Sequence, residues 1–164
     1  MLFGEVTAYQ TRGKLHTHAE TEMEGVMGAF ENAKKFFDAC EAPSGRAGCM
    51  EYVAEGAPFV AQSEPLADIK TVEGYCEWMA AFAGTTAPGA TYDLHVSCFD
   101  EANRTAVFAT YHAKHTGEGG PVPPTNRETY SHYVYFLKMG PDDKVERMTK
   151  VWNAPWTMKE LGWI

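Results

Sequence analysis

The hydrophobic pattern of this chain changes its period near Gly89, and this change constrains the fold more than any other feature. Upstream, apolar residues recur every three to four positions, which is the spacing of a helix with one buried face. Downstream, apolar residues alternate with polar ones, as they do in β-strands. Helices followed by strands predict an α+β domain, in which N-terminal helices pack on one face of a curved antiparallel sheet.

Capping residues and turn formers mark where these elements begin and end. Thr21 with Glu24 fits a capping box for the first helix, and Thr71 can cap the third. The predicted helices cover residues 22–40, 47–54 and 72–83. The predicted strands cover residues 59–62, 91–99, 105–115, 127–139 and 144–153, with a helical or irregular tail over 155–163. Residues 1–20 are weakly patterned and are interpreted as an extension of a single domain over 21–164.

Strand alternation sorts the candidate site residues into faces. On the second long strand His115 shares a face with Tyr111 and Ala113. The next two strands each contribute one face, formed by Ser131, Tyr133, Tyr135 and Leu137 and by Met148, Lys150 and Trp152. On the first long strand the shared face is predicted to be Tyr92, Leu94, Val96 and Cys98.

A loop rich in glycine and proline follows His115. The segment over residues 115–125 cannot continue a strand, so it forms a wide turn with His115 at the rim of the sheet. His115 is the one group in this loop that titrates near neutral pH. It can act as a general acid or base, or it can be a structural residue that hydrogen-bonds the loop; the sequence leaves both open.

Charge and cysteine content exclude several classes of function. The net charge of -8 and the absence of a basic stripe disfavour nucleic acids and anionic membranes as partners. No apolar run is long enough to cross a bilayer and the first residues lack a signal-peptide pattern, so the cytoplasm is the expected compartment. Cys40 and Cys49 flank a predicted helix–helix turn and are expected to lie close together as reduced thiols. No spacing predicts a metal site, and no cofactor is predicted.

Three segments resemble the NTF2-like superfamily, and in particular its SnoaL-like polyketide cyclases, which are related to ketosteroid isomerase. They are Glu55-Gly56-Ala57-Pro58-Phe59, then His115-Thr116-Gly117 with Pro123-Pro124-Thr125, and finally Lys150-Val151-Trp152-Asn153. The resemblance implies a cone-shaped fold whose interior faces the strand residues grouped above. It also implies that the catalytic carboxylates of both relatives are missing here. Ala61, with Gln62 beside it, replaces the isomerase base, and Tyr135 stands at the position of the cyclase acid/base.

The resulting prediction is a cofactor-independent isomerase, cyclase or lyase that acts on a small carbonyl-bearing compound. His115 would transfer the proton, and Tyr133 or Tyr135 would hydrogen-bond the carbonyl oxygen. Lys150 would bind a ligand carboxylate, form a Schiff base, or be carried to solvent by the twist of its strand. The predicted ligand-binding residues are Tyr111, Lys150, Trp152, Gln62 and Asn153. The alternatives are a ligand-binding domain without catalysis and a protein-interaction domain.

The opposite face of the third long strand is also aromatic. Tyr130, His132 and Phe136 give it more apolar area than a monomer usually exposes. The sequence therefore predicts a homodimer that forms through this convex face of the sheet.

Overall fold

The computed structural model describes residues 25–42, 45–100 and 102–164. Helix α1 covers residues 25–41, and α2 (Gly45–Cys49) continues as a 3-10 turn over Met50–Tyr52. Helix α3 (Val72–Ala81) continues as a π-helical turn over Phe82–Thr86, and the chain closes with α4 (Ala154–Glu160). The predicted helices are confirmed to within a few residues. The predicted extension over 1–20 and the capping box at Thr21 lie outside the described residues.

Five strands form one sheet in the order β1-β5-β4-β3-β2. They are β1 (Phe59–Ala61), β2 (Thr91–Asp100), β3 (Arg104–Lys114), β4 (Glu128–Met139) and β5 (Val145–Trp152). The four long strands pair in an antiparallel manner, as predicted. The short edge strand β1 runs parallel to β5, which the sequence did not reveal. Such a pair needs a long crossover, which most of the domain supplies here.

One face of the sheet packs against the helices and forms the core. Burial alternates residue by residue along β4, so the predicted inward face of that strand is confirmed. From the helices, aromatic side chains such as Phe36, Phe37 and Tyr75 fill the space above it. Among the described residues no helix combines the length and the apolar character needed to cross a membrane.

The predicted face of β2 is wrong, because a bulge interrupts the strand at His95. Before the bulge, Tyr92 and Leu94 lie opposite Tyr111 and Ala109, whose face is the inward one. After it, Val96 lies opposite Phe108, which has the opposite orientation. An extra residue in one strand moves every later side chain to the other face. Tyr92 and Leu94 therefore share the concave face, while Val96 and Cys98 belong to the convex one.

Candidate functional site

A narrow cavity lies between α3 and the concave face of the sheet. Its walls come from the helix end, from β3 to β5 and from α4, and they consist of Trp78, Met79, Phe82, Tyr111, Ser131, Tyr133, Lys150, Trp152 and Thr157. The centre of a water-sized sphere can occupy about 20 Å³ of it, which is room for one or two water molecules. Four of the predicted site residues thus converge on one space: Tyr111, Tyr133, Lys150 and Trp152.

The aromatic residues on the sheet side differ in how their polar atoms are satisfied. Trp152 donates from Nε1 to the hydroxyl oxygens of Ser131 and Thr157, each at 3.0 Å, so its indole is fixed. The hydroxyls of Tyr111 and Tyr133 are buried and have no hydrogen-bond partner in the described part of the chain. Burial raises the pKa of both phenols, and the nearby Glu41 carboxylate, which interacts most with Tyr133, raises them further, so both hydroxyls remain protonated donors at neutral pH. Two unused donors on one cavity wall are typical of a site that accepts a polar ligand atom.

Lys150 is buried in a box of aromatic rings. Its side chain is only 6% exposed, so the alternative in which strand twist carries it to solvent is wrong. Its Nζ lies 4.8 to 5.4 Å from four ring centroids, those of Tyr75, Tyr133, Tyr135 and Trp152. Burial lowers the pKa of Lys150 to about 8, although the charge of Glu41 opposes this shift. The amine is therefore far easier to deprotonate than an ordinary lysine.

A chain of hydrogen bonds leads from Lys150 away from the cavity to Glu41. Lys150 Nζ donates to the Tyr75 hydroxyl at 2.5 Å, and the hydroxyls of Tyr75 and Tyr135 lie 2.6 Å apart. Tyr135 in turn donates to Glu41 Oε1 at 2.5 Å. An ammonium group can only donate and a carboxylate can only accept, so both phenols are oriented in the same direction along the chain. Tyr135, predicted as a catalytic residue, lies within this chain and does not line the cavity.

Glu41 is the functional candidate that the sequence missed. The relatives' carboxylate positions are occupied by Ala61 and Tyr135, but the last residue of α1 supplies a different inward carboxylate, which is only 3% exposed. Burial raises the pKa of Glu41, while Lys150 and the Tyr135 hydroxyl act in the opposite direction. One signal could have revealed it. Glu41 lies four residues after Phe37, so on a helix it shares that buried face.

His115 is fully buried but does not line the cavity. Its Nδ1 accepts hydrogen bonds from Trp163 Nε1 at 3.0 Å and from the Thr125 backbone amide at 3.3 Å. Both partners are donors, so the proton of the neutral ring is on Nε2. A Cβ atom at Gly120 would lie 2.7 Å from that nitrogen. The geometry corresponds to the alternative in which His115 is a structural residue that hydrogen-bonds the loop. Because His115 does not contact the cavity, its catalytic role stays a prediction.

The remaining predicted ligand-binding residues also lie outside the cavity. Gln62 follows β1 and is exposed. Asn153 is exposed as well and caps α4, where its side-chain oxygen accepts a hydrogen bond from the Trp156 amide at 3.3 Å. Contact of either side chain with a ligand has no support from this arrangement.

Three buried cysteines lie behind the hydrogen-bond chain. The expected proximity of Cys40 and Cys49 is confirmed, and Cys76 joins them, with the three sulfurs within 4.8 Å of one another. All are free thiols. The pKa of Cys49 is lowered because the thiols of Cys40 and Cys76 hydrogen-bond to it. The sequence did not place Cys76 in this group, because three separate helices bring these residues together.

Comparison with known proteins gives structural but not sequence relatives. No protein-family model and no curated protein matches this sequence. A candidate SnoaL-like polyketide cyclase from Jannaschia sp. CCS1 superposes with a TM-score of 0.69 and 16% identity, covering 82% of this chain and 92% of the other. AclR, a candidate hydroxylase from Streptomyces galilaeus, superposes with a TM-score of 0.68 and 18% identity, covering 85% of this chain and 87% of the other. An epoxide hydrolase of the LEH-like type from M. tuberculosis superposes with a TM-score of 0.59 and 11% identity, covering 84% of this chain and 92% of the other.

These identities establish a shared fold and leave the reaction open. The neighbours include proteins described as a cyclase, a hydroxylase and a hydrolase, so the fold is compatible with several chemistries. The cone-shaped NTF2-like fold that the sequence predicted is confirmed. Function has to be inferred from the cavity itself.

Proposed function

We propose that the protein is an enzyme of the isomerase, cyclase or lyase type, which moves a proton on a small carbonyl-bearing compound held in this cavity. One observation carries the proposal: a buried lysine with a lowered pKa faces an aromatic cavity in which two phenol hydroxyls have no partner among the described residues. Buried polar groups are normally satisfied, so two unpartnered phenol hydroxyls beside a buried amine indicate a polar ligand atom between them.

The chemistry that fits is enolisation. The hydroxyls of Tyr111 and Tyr133 donate hydrogen bonds to the carbonyl oxygen, where negative charge develops as the neighbouring carbon loses its proton. Lys150, as the neutral amine, accepts that proton. A base with a pKa of about 8 is well matched to this task near neutral pH, since it is both available and basic. His115 is not needed for this step.

The groups behind Lys150 stabilise the ammonium that forms. Tyr75 accepts a hydrogen bond from it, and the carboxylate of Glu41 balances its charge through Tyr135. The surrounding ring faces also favour a cation. In this proposal Lys150 is the catalytic base and Glu41 is a positioning residue.

A ligand larger than a few atoms requires the cavity to widen. On its helix side the wall is formed by Trp78 and Phe82, whose rings are stacked with centroids 5.3 Å apart. Displacement of these rings would extend the cavity on its helix side. We therefore expect small, flat carbonyl compounds to bind first in a screen.

The test is hydrogen–deuterium exchange at the carbon next to the carbonyl, followed by NMR over a set of small ketones. Lys150→Met should reduce the exchange rate about a hundredfold or more, because it removes the base and keeps the bulk. Tyr133→Phe should reduce it about tenfold or more, because it removes one donor to the oxyanion. Lys159→Met changes an exposed lysine and serves as the control.

His115→Asn distinguishes this proposal from the prediction made from the sequence. If His115 is the acid/base, exchange should fall about a hundredfold. If Lys150 is the base, the variant should lose stability but keep its exchange rate. Binding of ketones with no exchange in the wild type would instead favour a ligand-binding domain without catalysis.

We further propose that the protein forms a homodimer through the convex face of the sheet. Tyr130, Phe136 and Val151 are 56%, 44% and 63% exposed there, an unusual apolar area for a free surface. Light scattering should return twice the chain mass at micromolar concentration, and Phe136→Lys should reduce it to the monomer mass. A monomer in the wild type would contradict this proposal.

A further inference from the structure

Cys40, Cys49 and Cys76 form a sulfur cluster that the proposed reaction does not use. They come from α1, α2 and α3, and each is fully enclosed, with at most 1% of its surface exposed. The Cys40 sulfur lies 3.9 Å from the Tyr135 hydroxyl. A buried cysteine is often no more than a small apolar core residue. Three of them, converging from three helices with their sulfurs facing one point, require a further explanation.

The spacing of the sulfurs is close to that of a metal site. Thiolates bind a zinc-sized ion at about 2.3 Å, which for three ligands in a plane puts the sulfurs about 4.0 Å apart. The sulfurs here lie within 4.8 Å of one another, so sub-ångström movements are sufficient to close the site. An ion at the centre would replace thiol–thiol contacts with metal–sulfur bonds.

The ligand set selects among metals. Soft thiolate ligands favour Cu(I) and Zn(II) over harder ions. Structural Zn(II) takes four ligands, but among the described residues no histidine, aspartate or glutamate joins the three cysteines. Cu(I) forms stable complexes with three sulfur ligands, and the buried position shields the ion from water.

We propose that Cys40, Cys49 and Cys76 form a three-coordinate binding site for a soft metal ion, with Cu(I) preferred over Zn(II). Binding releases the protons of the coordinating thiols to solvent, and no electron transfer is required. The ion would join all three helices, two of which, α2 and α3, also pair at the surface through Arg46 and Glu73. None of the three cysteines lines the cavity, and the cluster touches the proposed catalytic groups only at the Tyr135 hydroxyl, 3.9 Å from the Cys40 sulfur.

The experiment titrates the reduced protein with Cu(I) under anaerobic conditions against the competing chelator bicinchoninate. One Cu(I) should bind per chain, and X-ray absorption should show three sulfur ligands with no nitrogen or oxygen. Cys49→Ser and Cys76→Ser should each weaken the affinity about a hundredfold or more, since even outer-shell changes cost 10–100-fold. Cys98→Ser removes an exposed thiol outside the cluster and should bind like the wild type.

If a serine variant fails to fold, the X-ray absorption spectrum of the wild type still tests the proposal. Two-sulfur coordination, loss of binding in Cys98→Ser, or failure of the wild type to compete with the chelator would each overturn the proposal. A parallel titration with Zn(II) tests the choice of metal. Tight Zn(II) binding with a fourth light-atom ligand would overturn the three-coordinate assignment.

Discussion

Replacing Lys150 with methionine should change how the stability of the protein depends on pH. Lys150 has a pKa of about 8 in the folded protein, against 10.5 for the free side chain. Between these values the unfolded chain holds a proton that the folded protein has released, so the free energy of unfolding rises with pH. The penalty for burying the charge is fully present below pH 8 and disappears as the pH approaches 10.5.

The size of the effect follows from the shift. A difference of roughly 2.5 pKa units corresponds to about 3 kcal/mol, since each unit is worth about 1.36 kcal/mol. Methionine has similar bulk but no charge, so the variant lacks this dependence. Relative to Lys150→Met, the wild type should therefore gain about 2 to 3 kcal/mol of stability between pH 7.5 and 10. The buried tyrosines also titrate at high pH, but they are present in both proteins and largely cancel in the difference.

Urea unfolding followed by tryptophan fluorescence measures this difference at half-unit steps of pH, with the slope on urea checked for constancy. The exposed Lys159→Met variant should run parallel to the wild type across the same range. A constant difference between wild type and Lys150→Met would mean that Lys150 titrates as it does in water. That result would refute both its desolvation and its proposed role as a base near neutral pH.

Three further outcomes are expected. Glu41→Gln should lower the pKa of Lys150 below about 8, because it removes the negative charge that opposes the shift. NMR of the Lys150 side-chain carbon measures this pKa, and an unchanged value would show that Glu41 does not act on Lys150. Gly117→Ala should destabilise the protein by about 1 to 3 kcal/mol in thermal unfolding, because the new Cβ would overlap the Thr85 carbonyl oxygen. Gly84→Ala is the control, since a Cβ at that position meets nothing within 4 Å. Thr71→Ala should cost about 1 kcal/mol by removing the cap on the Gly74 amide, and no loss would argue against the capping bond.

Local periodicity was sufficient to predict the elements and several residues of the cavity wall. Alternation along β3, β4 and β5 correctly placed Tyr111, Tyr133, Lys150 and Trp152 on one face. It failed on β2, where the bulge at His95 depends on pairing with β3 and leaves no mark in the local pattern.

Features that depend on helix-to-sheet packing were beyond the sequence. Glu41 and Cys76 lie in helices, and their proximity to Tyr135 and Cys40 depends on how those helices cross the sheet and one another. The sequence points to His115 because histidine is the common acid/base residue of neutral-pH catalysis. Its real surroundings, the Trp163 indole and the Thr125 amide, come from segments whose positions no local pattern predicts.

The hydrogen-bond chain between Lys150 and Glu41 has a consequence for the choice of ligand. If one proton shifts along each of its three links, the ammonium and carboxylate become an amine and a carboxylic acid. The four groups carry a total charge of zero in both forms. An anionic ligand beside Lys150 would pair with the ammonium group. The Glu41 carboxylate would then be buried without a balancing positive charge, which is costly. The cavity should therefore select uncharged ketones and exclude the corresponding keto acids.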